Sequence, residues 1–171
     1  MNLQDVLNNK EILKNKENIT ILTKEIVDDF FNKNPNAKTF IIPDSVTEIG
    51  DCAFDGCKNL KEITIPDSVT KIGNNAFDSC TNLTEITIPD SVTEIGNDAF
   101  YGCLNLTEIT IPDSVTEIGD GAFNSCKNLK EIIFQNPSSL NQMKLGKNVF
   151  SGCDLENINI TFLDNELDKD N

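Results

Sequence analysis

Pro43, Pro66, Pro89 and Pro112 recur every 23 residues, as do Phe54, Phe77, Phe100 and Phe123, and Cys57, Cys80, Cys103 and Cys126. The unit reads I-P-D-S-V-T-x-I-G-x-x-A-F-x-x-C-x-N-L-x-E-I-x, and the copies at 66–88 and 89–111 agree at 18 of 23 positions. Duplication at this period restricts the chain to a solenoid, because one unit is too short to bury its own apolar face and must stack on its neighbours. A fifth, degenerate unit follows a four-residue insertion and carries Leu145, Phe150, Cys153, Leu155, Ile158 and Ile160.

Within each unit the segment L-x-x-I-x-I, as in Leu60 to Ile65, alternates with period two and predicts a short strand with one face buried. Proline then blocks further pairing and Pro-Asp-Ser makes a turn. Val-Thr-x-Ile-Gly is a second extended piece. Ala-Phe-x-x-Cys is too short for a full helix and suits one helical or 3₁₀ turn with Ala, Phe and Cys inward. Strands about 4.8 Å apart give five coils a core roughly 25 Å long. The ends of such a stack must be covered. Leu3, Val6, Leu7 and Leu13 follow a helical spacing, and Ile26, Val27, Phe30 and Phe31 another, with Thr23 as N-cap. Asn34-Pro35-Asn36 ends that helix. The expected organisation is a helical N-terminal cap at 1–38, a solenoid at 39–162 and an acidic tail at 163–171.

The ordered combination of I-P-x-S-V, I-G-x-x-A-F, the cysteine and N-L, in four copies, resembles the 23-residue leucine-rich repeat of the BspA-like class, also called the Treponema pallidum type. The resemblance covers about residues 39–162. It implies an α/β repeat protein: a right-handed, curved leucine-rich-repeat solenoid with short parallel strands on its concave face. It also implies adhesion or host interaction, since proteins of this type occur on bacterial surfaces and in parasitic protists.

Composition narrows the chemistry. The chain has 28 carboxylates against 14 Lys, with no Arg, His or Trp, for a net charge of -14. Imidazole-based nucleophile pairs and metal sites are therefore excluded, as is a bidentate phosphate clamp. The acidity argues against nucleic acid and anionic membranes as partners. Residues 43–134 hold 16 acids and 5 Lys, hence -11, whereas residues 1–42 hold 6 of each. No apolar run approaches the ~20 residues of a spanning helix, so membrane insertion is not expected. Met1 to Lys14 lacks the apolar run of a secretory signal, which favours an intracellular location. The family resemblance pulls instead toward the cell surface or delivery into a host cell.

Glu62, Glu85, Glu108 and Glu131 occupy the outward position of the strand and should line one row of the concave face. Thr64, Thr87 and Thr110 form the next row, which Ile133 breaks. Stacked like charges repel by about 1 kcal/mol each after screening, a cost that suits a face meeting a basic partner. The simpler reading, and the favoured one for the row by itself, is that duplication copied a soluble residue. Lys61 and Lys130 are placed to relieve its ends. Asp44, Asp67, Asp90 and Asp113 form a row of turn residues, a line rather than the cage Ca²⁺ requires. The cysteine column reads as inward packing, with disulfides or metal as alternatives. Cys52, whose counterparts are Asn75, Asp98 and Gly121, is expected to be exposed. Tyr101 and Leu104 stand where other units hold polar residues, an exposed apolar pair of the kind enriched at binding sites. Asn18, Asn82, Asn105 and Asn159 match the glycosylation acceptor pattern, and two of them are the repeat's own Asn-Leu.

No residue pattern points to catalysis or to a cofactor. The reading is a non-catalytic protein-binding module with an acidic concave surface, its partner a protein bearing a basic patch. The alternative is a structural or adhesive element acting by weak self-association, since the fifth unit covers the last coil only thinly.

Overall fold

The computed structural model describes residues 19–135 and 142–163. The proposed first helix around Leu3, Val6, Leu7 and Leu13 and the tail from Asp164 lie outside the described residues. Among those described, strands and turns dominate, with one helix, α1 (Lys24–Lys33). Each coil gives one strand to each of two parallel sheets. The first sheet stacks β2 (Thr39–Ile41), β4 (Glu62–Thr64), β6 (Glu85–Thr87), β8 (Glu108–Ile111), β10 (Glu131–Phe134) and β12 (Asn159–Phe162). The second stacks β1 (Ile21–Leu22), β3 (Glu48–Ile49), β5 (Lys71–Ile72), β7 (Glu94–Ile95), β9 (Glu117–Ile118) and β11 (Lys144–Leu145). Partners in register are one repeat apart, such as Ile63 with Ile86 and Ile49 with Ile72. The strand at β1 lies in the stretch read from sequence as helical cap.

Alternation decides what goes inside. Ile63, Ile86, Ile109 and Ile132 turn inward from the first sheet, and Ile49, Ile72, Ile95 and Ile118 from the second. The Pro-Asp-Ser turns close through the proline carbonyl, which accepts from the valine amide three residues on, as Val69 N to Pro66 O at 3.0 Å. Proline lacks an amide proton, so it loses nothing where the strand ends.

The Ala-Phe-x-x-Cys segment is a turn in which alternate amides serve different purposes. Cys57 N bonds Phe54 O within the turn at 3.0 Å, while Phe54 N bonds Ala76 O of the next coil at 2.7 Å. Sharing amides between coils keeps this segment a succession of single turns closed three residues apart, and not a continuous helix. Two positions per coil are left-handed: Cys52, Asn75, Asp98, Gly121 and Asn148, then Gly56, Ser79, Gly102, Ser125 and Gly152. The first set explains why Cys52 sits among Asn, Asp and Gly, residues that tolerate positive φ. Cys52 itself is half-buried rather than exposed.

Phenylalanine forms the spine. Phe54, Phe77, Phe100 and Phe123 are fully buried and stack face to face, with centroids 4.9–5.1 Å apart and rings within 3° of parallel. Toward the N-terminal end the geometry changes: Phe40 meets Phe54 edge-on, and Phe30 of α1 meets Phe40 edge-on at 5.0 Å. Ile26, Val27 and Phe30 bury the inner face of α1. Thr23 holds the N-cap position, but its carbonyl, not its side chain, receives the first helical amides. Asn34 ends the helix, its amide and side-chain nitrogen both donating to Phe30 O.

Candidate functional site

The outer face of the first sheet carries the acidic row. Register places Glu62 beside Glu85 and Glu108 beside Glu131, and Thr87 beside Thr110. Glu62, Glu85, Glu108, Thr64 and Thr87 are exposed, while Glu131 and Thr110 are half-buried. Two open depressions lie along the rows. One of about 230 Å³ is bounded by Glu62, Thr64, Glu85 and Thr87, with Thr39 and Phe40 at its end. The next, about 320 Å³, is bounded by Glu85, Thr87, Thr107, Glu108 and Thr110.

The second sheet carries a comparable row that the sequence reading missed: Glu48, Lys71, Glu94, Glu117 and Lys144. Here the charges compensate. Lys71 Nζ lies 3.1 Å from Glu94, whose hydrogen bond and charge raise the lysine pKa, and Lys144 Nζ lies 3.4 Å from Glu117. The other two ion pairs among the described residues, Lys24–Asp28 and Lys33–Asp29, are internal to α1. None of these pairs involves the Glu62–Glu131 row. Lys61 and Lys130 form no ion pair with it, contrary to the relief expected from sequence. The missed signal was available: the x of Val-Thr-x-Ile-Gly is Glu48, Lys71, Glu94 and Glu117, followed by Lys144 in the degenerate unit, so both signs occur in the one column.

Polar ladders bind coil to coil around the rim. Ser68, Ser91 and Ser114 donate to the carbonyls of Val46, Val69 and Val92 at 2.6–2.7 Å. The side-chain oxygens of Asp51, Asn74, Asn97 and Asp120 each accept the amide one coil on, from Asn74, Asn97, Asp120 and Lys147. The side-chain nitrogens of Asn82 and Asn105 donate to the carbonyls of Lys58 and Thr81, which gives this Asn-Leu pair a structural purpose. Asn18 is outside the described residues. Asp44, Asp67, Asp90 and Asp113 are exposed in their turns.

The cysteine column is a hydrogen-bonded ladder of free thiols. Cys80, Cys103, Cys126 and Cys153 each donate to the phenylalanine carbonyl of the preceding coil, from Phe54 to Phe123, at 3.1–3.2 Å. Burial pushes the pKa of Cys57 and of Cys126 up to about 12 and that of Cys80 and Cys103 well above the ordinary value. A thiol held protonated is a donor and not a nucleophile. No three His, Cys, Asp or Glu among the described residues converge as metal ligands.

Tyr101 and Leu104 are exposed, at 39% and 37%, in the turn between β7 and β8 rather than on the sheet strands that hold the Glu and Thr rows. The predicted site residues thus fall into two separate groups. Leu145, Leu155, Ile160, Phe162 and Leu163 form a further exposed apolar set at the β11–β12 end, each 46–60% exposed.

Two parallel sheets, a 23-residue register and a stacked phenylalanine spine define the repeat type. The model for the "BspA type Leucine rich repeat region (6 copies)" matches residues 24–143 and 58–169. The chain belongs to this BspA-type leucine-rich repeat family. Among solved structures, a T. pallidum leucine-rich repeat protein is 34% identical with a TM-score of 0.62, over 68% of this chain and 55% of that one. A leucine-rich cell surface protein of Faecalibacterium prausnitzii is 32% identical with a TM-score of 0.63, over 77% of this chain and 33% of that one. The pneumococcal vaccine antigen PcpA is 27% identical with a TM-score of 0.60, over 77% of this chain and 32% of that one. The chain therefore spans about half the length of the first and a third of the other two. A comparison with curated proteins gave no match. Leucine-rich repeats of this family form scaffolds, and no helix of the described residues is long and apolar enough to cross a membrane.

Proposed function

We propose that this BspA-type chain is a non-catalytic protein-binding module whose contact surface is the acidic face of the first sheet, which we take to be the concave side. Glu62, Glu85, Glu108 and Glu131, with Thr64, Thr87 and Thr110, meet a basic patch on the partner. The observation that carries this reading is the contrast between the two sheets. The same fold pairs its lysines with glutamates on the second sheet and leaves the first sheet's row without them. A row of like charges across stacked strands costs stability, and a basic partner would offset it. Tyr101 and Leu104 provide a separate apolar contact at the turn edge. In this reading α1, whose Phe30 ring packs on Phe40, closes the N-terminal end of the binding stack. One relative is described as a cell surface protein and another as a vaccine antigen, which supports adhesion or host interaction at a cell surface.

The test is affinity capture with wild type and a Glu85→Lys/Glu108→Lys variant, after circular dichroism shows equal folding. A protein retained by wild type, lost by the variant and released between about 0.05 M and about 0.5 M salt is the expected result. Equal retention, or binding indifferent to salt, overturns the acidic-face reading and moves the contact to Tyr101 and Leu104.

A further inference from the structure

We infer that the depression at the β2 end of the acidic row seats one primary ammonium group, the lysine side chain of a protein partner, with Thr39 as its buried acceptor. The inference rests on the acidic-face reading and names the group which that face takes. Thr39 is the one buried polar side chain among the described residues, 8% exposed. Its hydroxyl has no hydrogen-bond partner among those residues. The hydroxyls of Ser68, Thr70, Ser91, Thr93 and Ser114, by contrast, all donate to carbonyls one coil away. An unpaired buried hydroxyl costs stability, and valine has nearly the same shape without it. A ligand that uses the hydroxyl accounts for threonine at this position.

Register fixes the side of the sheet on which the hydroxyl lies. Thr39 pairs with Glu62, and Phe40 with Ile63. Phe40 turns into the core, so Thr39 shares the outward column with Glu62 and Glu85. It lines the same depression of about 230 Å³ as those two carboxylates and Thr64 and Thr87. None of the ion pairs among the described residues involves Glu62 or Glu85. The wall thus offers acceptors on three adjacent strands, two of them charged. A primary ammonium matches it, with one charge and three divergent N–H donors. A guanidinium holds its donors in one plane and is satisfied by a single carboxylate. The coil pitch agrees. Stacked phenylalanines set it at 4.9–5.1 Å, and an ammonium making two tetrahedrally spread bonds of about 2.8 Å reaches oxygens roughly 4.6 Å apart. The neighbouring depression, at Glu85, Thr87, Thr107, Glu108 and Thr110, contains no buried polar side chain.

The experiment is calorimetric titration of the full chain at low salt with three peptides of equal charge: acetylated trilysine amide, its Nε-trimethylated counterpart and acetylated triarginine amide. Trimethylation keeps the charge and removes every side-chain N–H donor. Wild type should bind trilysine about tenfold more tightly than the trimethylated peptide, the worth of one charge-assisted hydrogen bond, and more tightly than triarginine. Thr39→Val should unfold at no lower urea concentration than wild type and lose most of that preference, while Thr39→Ser retains it. Equal binding of the three peptides, no binding of any, an unchanged preference in Thr39→Val, or a clear fall in the Thr39→Val urea midpoint overturns the ammonium seat. Where peptides bind without that preference, the Glu85→Lys/Glu108→Lys variant separates the two readings. Loss of binding in it leaves the acidic face standing without the seat, and undiminished binding overturns both.

Discussion

Replacing Phe100 by alanine tests whether the stacked ring column holds the coils together. Phe100 has no exposed surface and lies 5.1 Å from both Phe77 and Phe123, parallel within 2° of each. Loss of a buried phenylalanine from the core forfeits about 1.5–3 kcal/mol of transfer free energy. A void of roughly 100 Å³ left open would add about 2 kcal/mol at ~24 cal/mol per Å³. Collapse into that void is hindered, because Phe100 N is tied to Ala122 O at 2.7 Å and Phe77 N to Ala99 O at 2.7 Å. We expect a cost of about 4–5 kcal/mol, at the upper end of the observed range for such truncations. At a urea m-value of about 2 kcal/mol/M the midpoint should fall by about 2 M. Phe150 supplies the internal control: it has one stacked partner in the column, Phe123 at 5.5 Å, and is half-buried, so Phe150→Ala should cost less than about half as much. The assay is urea unfolding by circular dichroism at 25 °C, comparing midpoints and m-values. Equal costs at the two positions, or a Phe100→Ala cost below about 2 kcal/mol, would refute the idea that the column is the spine of the fold.

Three further outcomes are expected. A Cβ at Gly96 would lie 2.6 Å from the backbone of Gly73 and Asn74, so Gly96→Ala should force coils apart and cost more than about 2 kcal/mol in the same assay. Gly56→Ala meets nothing within 4 Å and bears only its left-handed φ of +72°, about 1 kcal/mol. The Cys126 thiol is raised from 9.0 to about 12 by burial. Its protonated form is thus favoured in the folded chain. That contribution is intact below pH 9 and is lost as pH rises toward 12, so midpoints should decline through this window, and less steeply in Cys126→Ala.

The repeat made much of this architecture readable without coordinates. The inward column of Ile, Phe and Cys, the proline-closed turns and the strand L-x-x-I-x-I follow from alternation within one unit, and the helix over Ile26 to Phe31 follows from its spacing. The Glu62–Glu131 row was legible for the same reason, since the outward residue of a strand is known once the inward one is. The left-handed positions were not read, although the column Cys52, Asn75, Asp98, Gly121 contained the hint. The helical or 3₁₀ turn expected at Ala-Phe-x-x-Cys is present as single turns closed three residues apart, and it does not run on as a helix because alternate amides bond across coils. The strand at Ile21–Leu22 escaped notice because two residues carry no period.

What the sequence determined by itself was which residues face in and which face out, copied coil after coil, because side-chain alternation is a local property of the backbone. Only the tertiary structure decided what lies above and below each residue. It showed that Glu94 and Glu117 of the second sheet meet lysines while the glutamates of the first sheet do not. It also showed that each lower thiol column member finds a phenylalanine carbonyl. Finally it left the core positions of β12 open, where those of every strand from β4 to β10 are covered. Those outcomes depend on neighbours 23 or more residues away, and stacking, unlike alternation, is set by the whole chain.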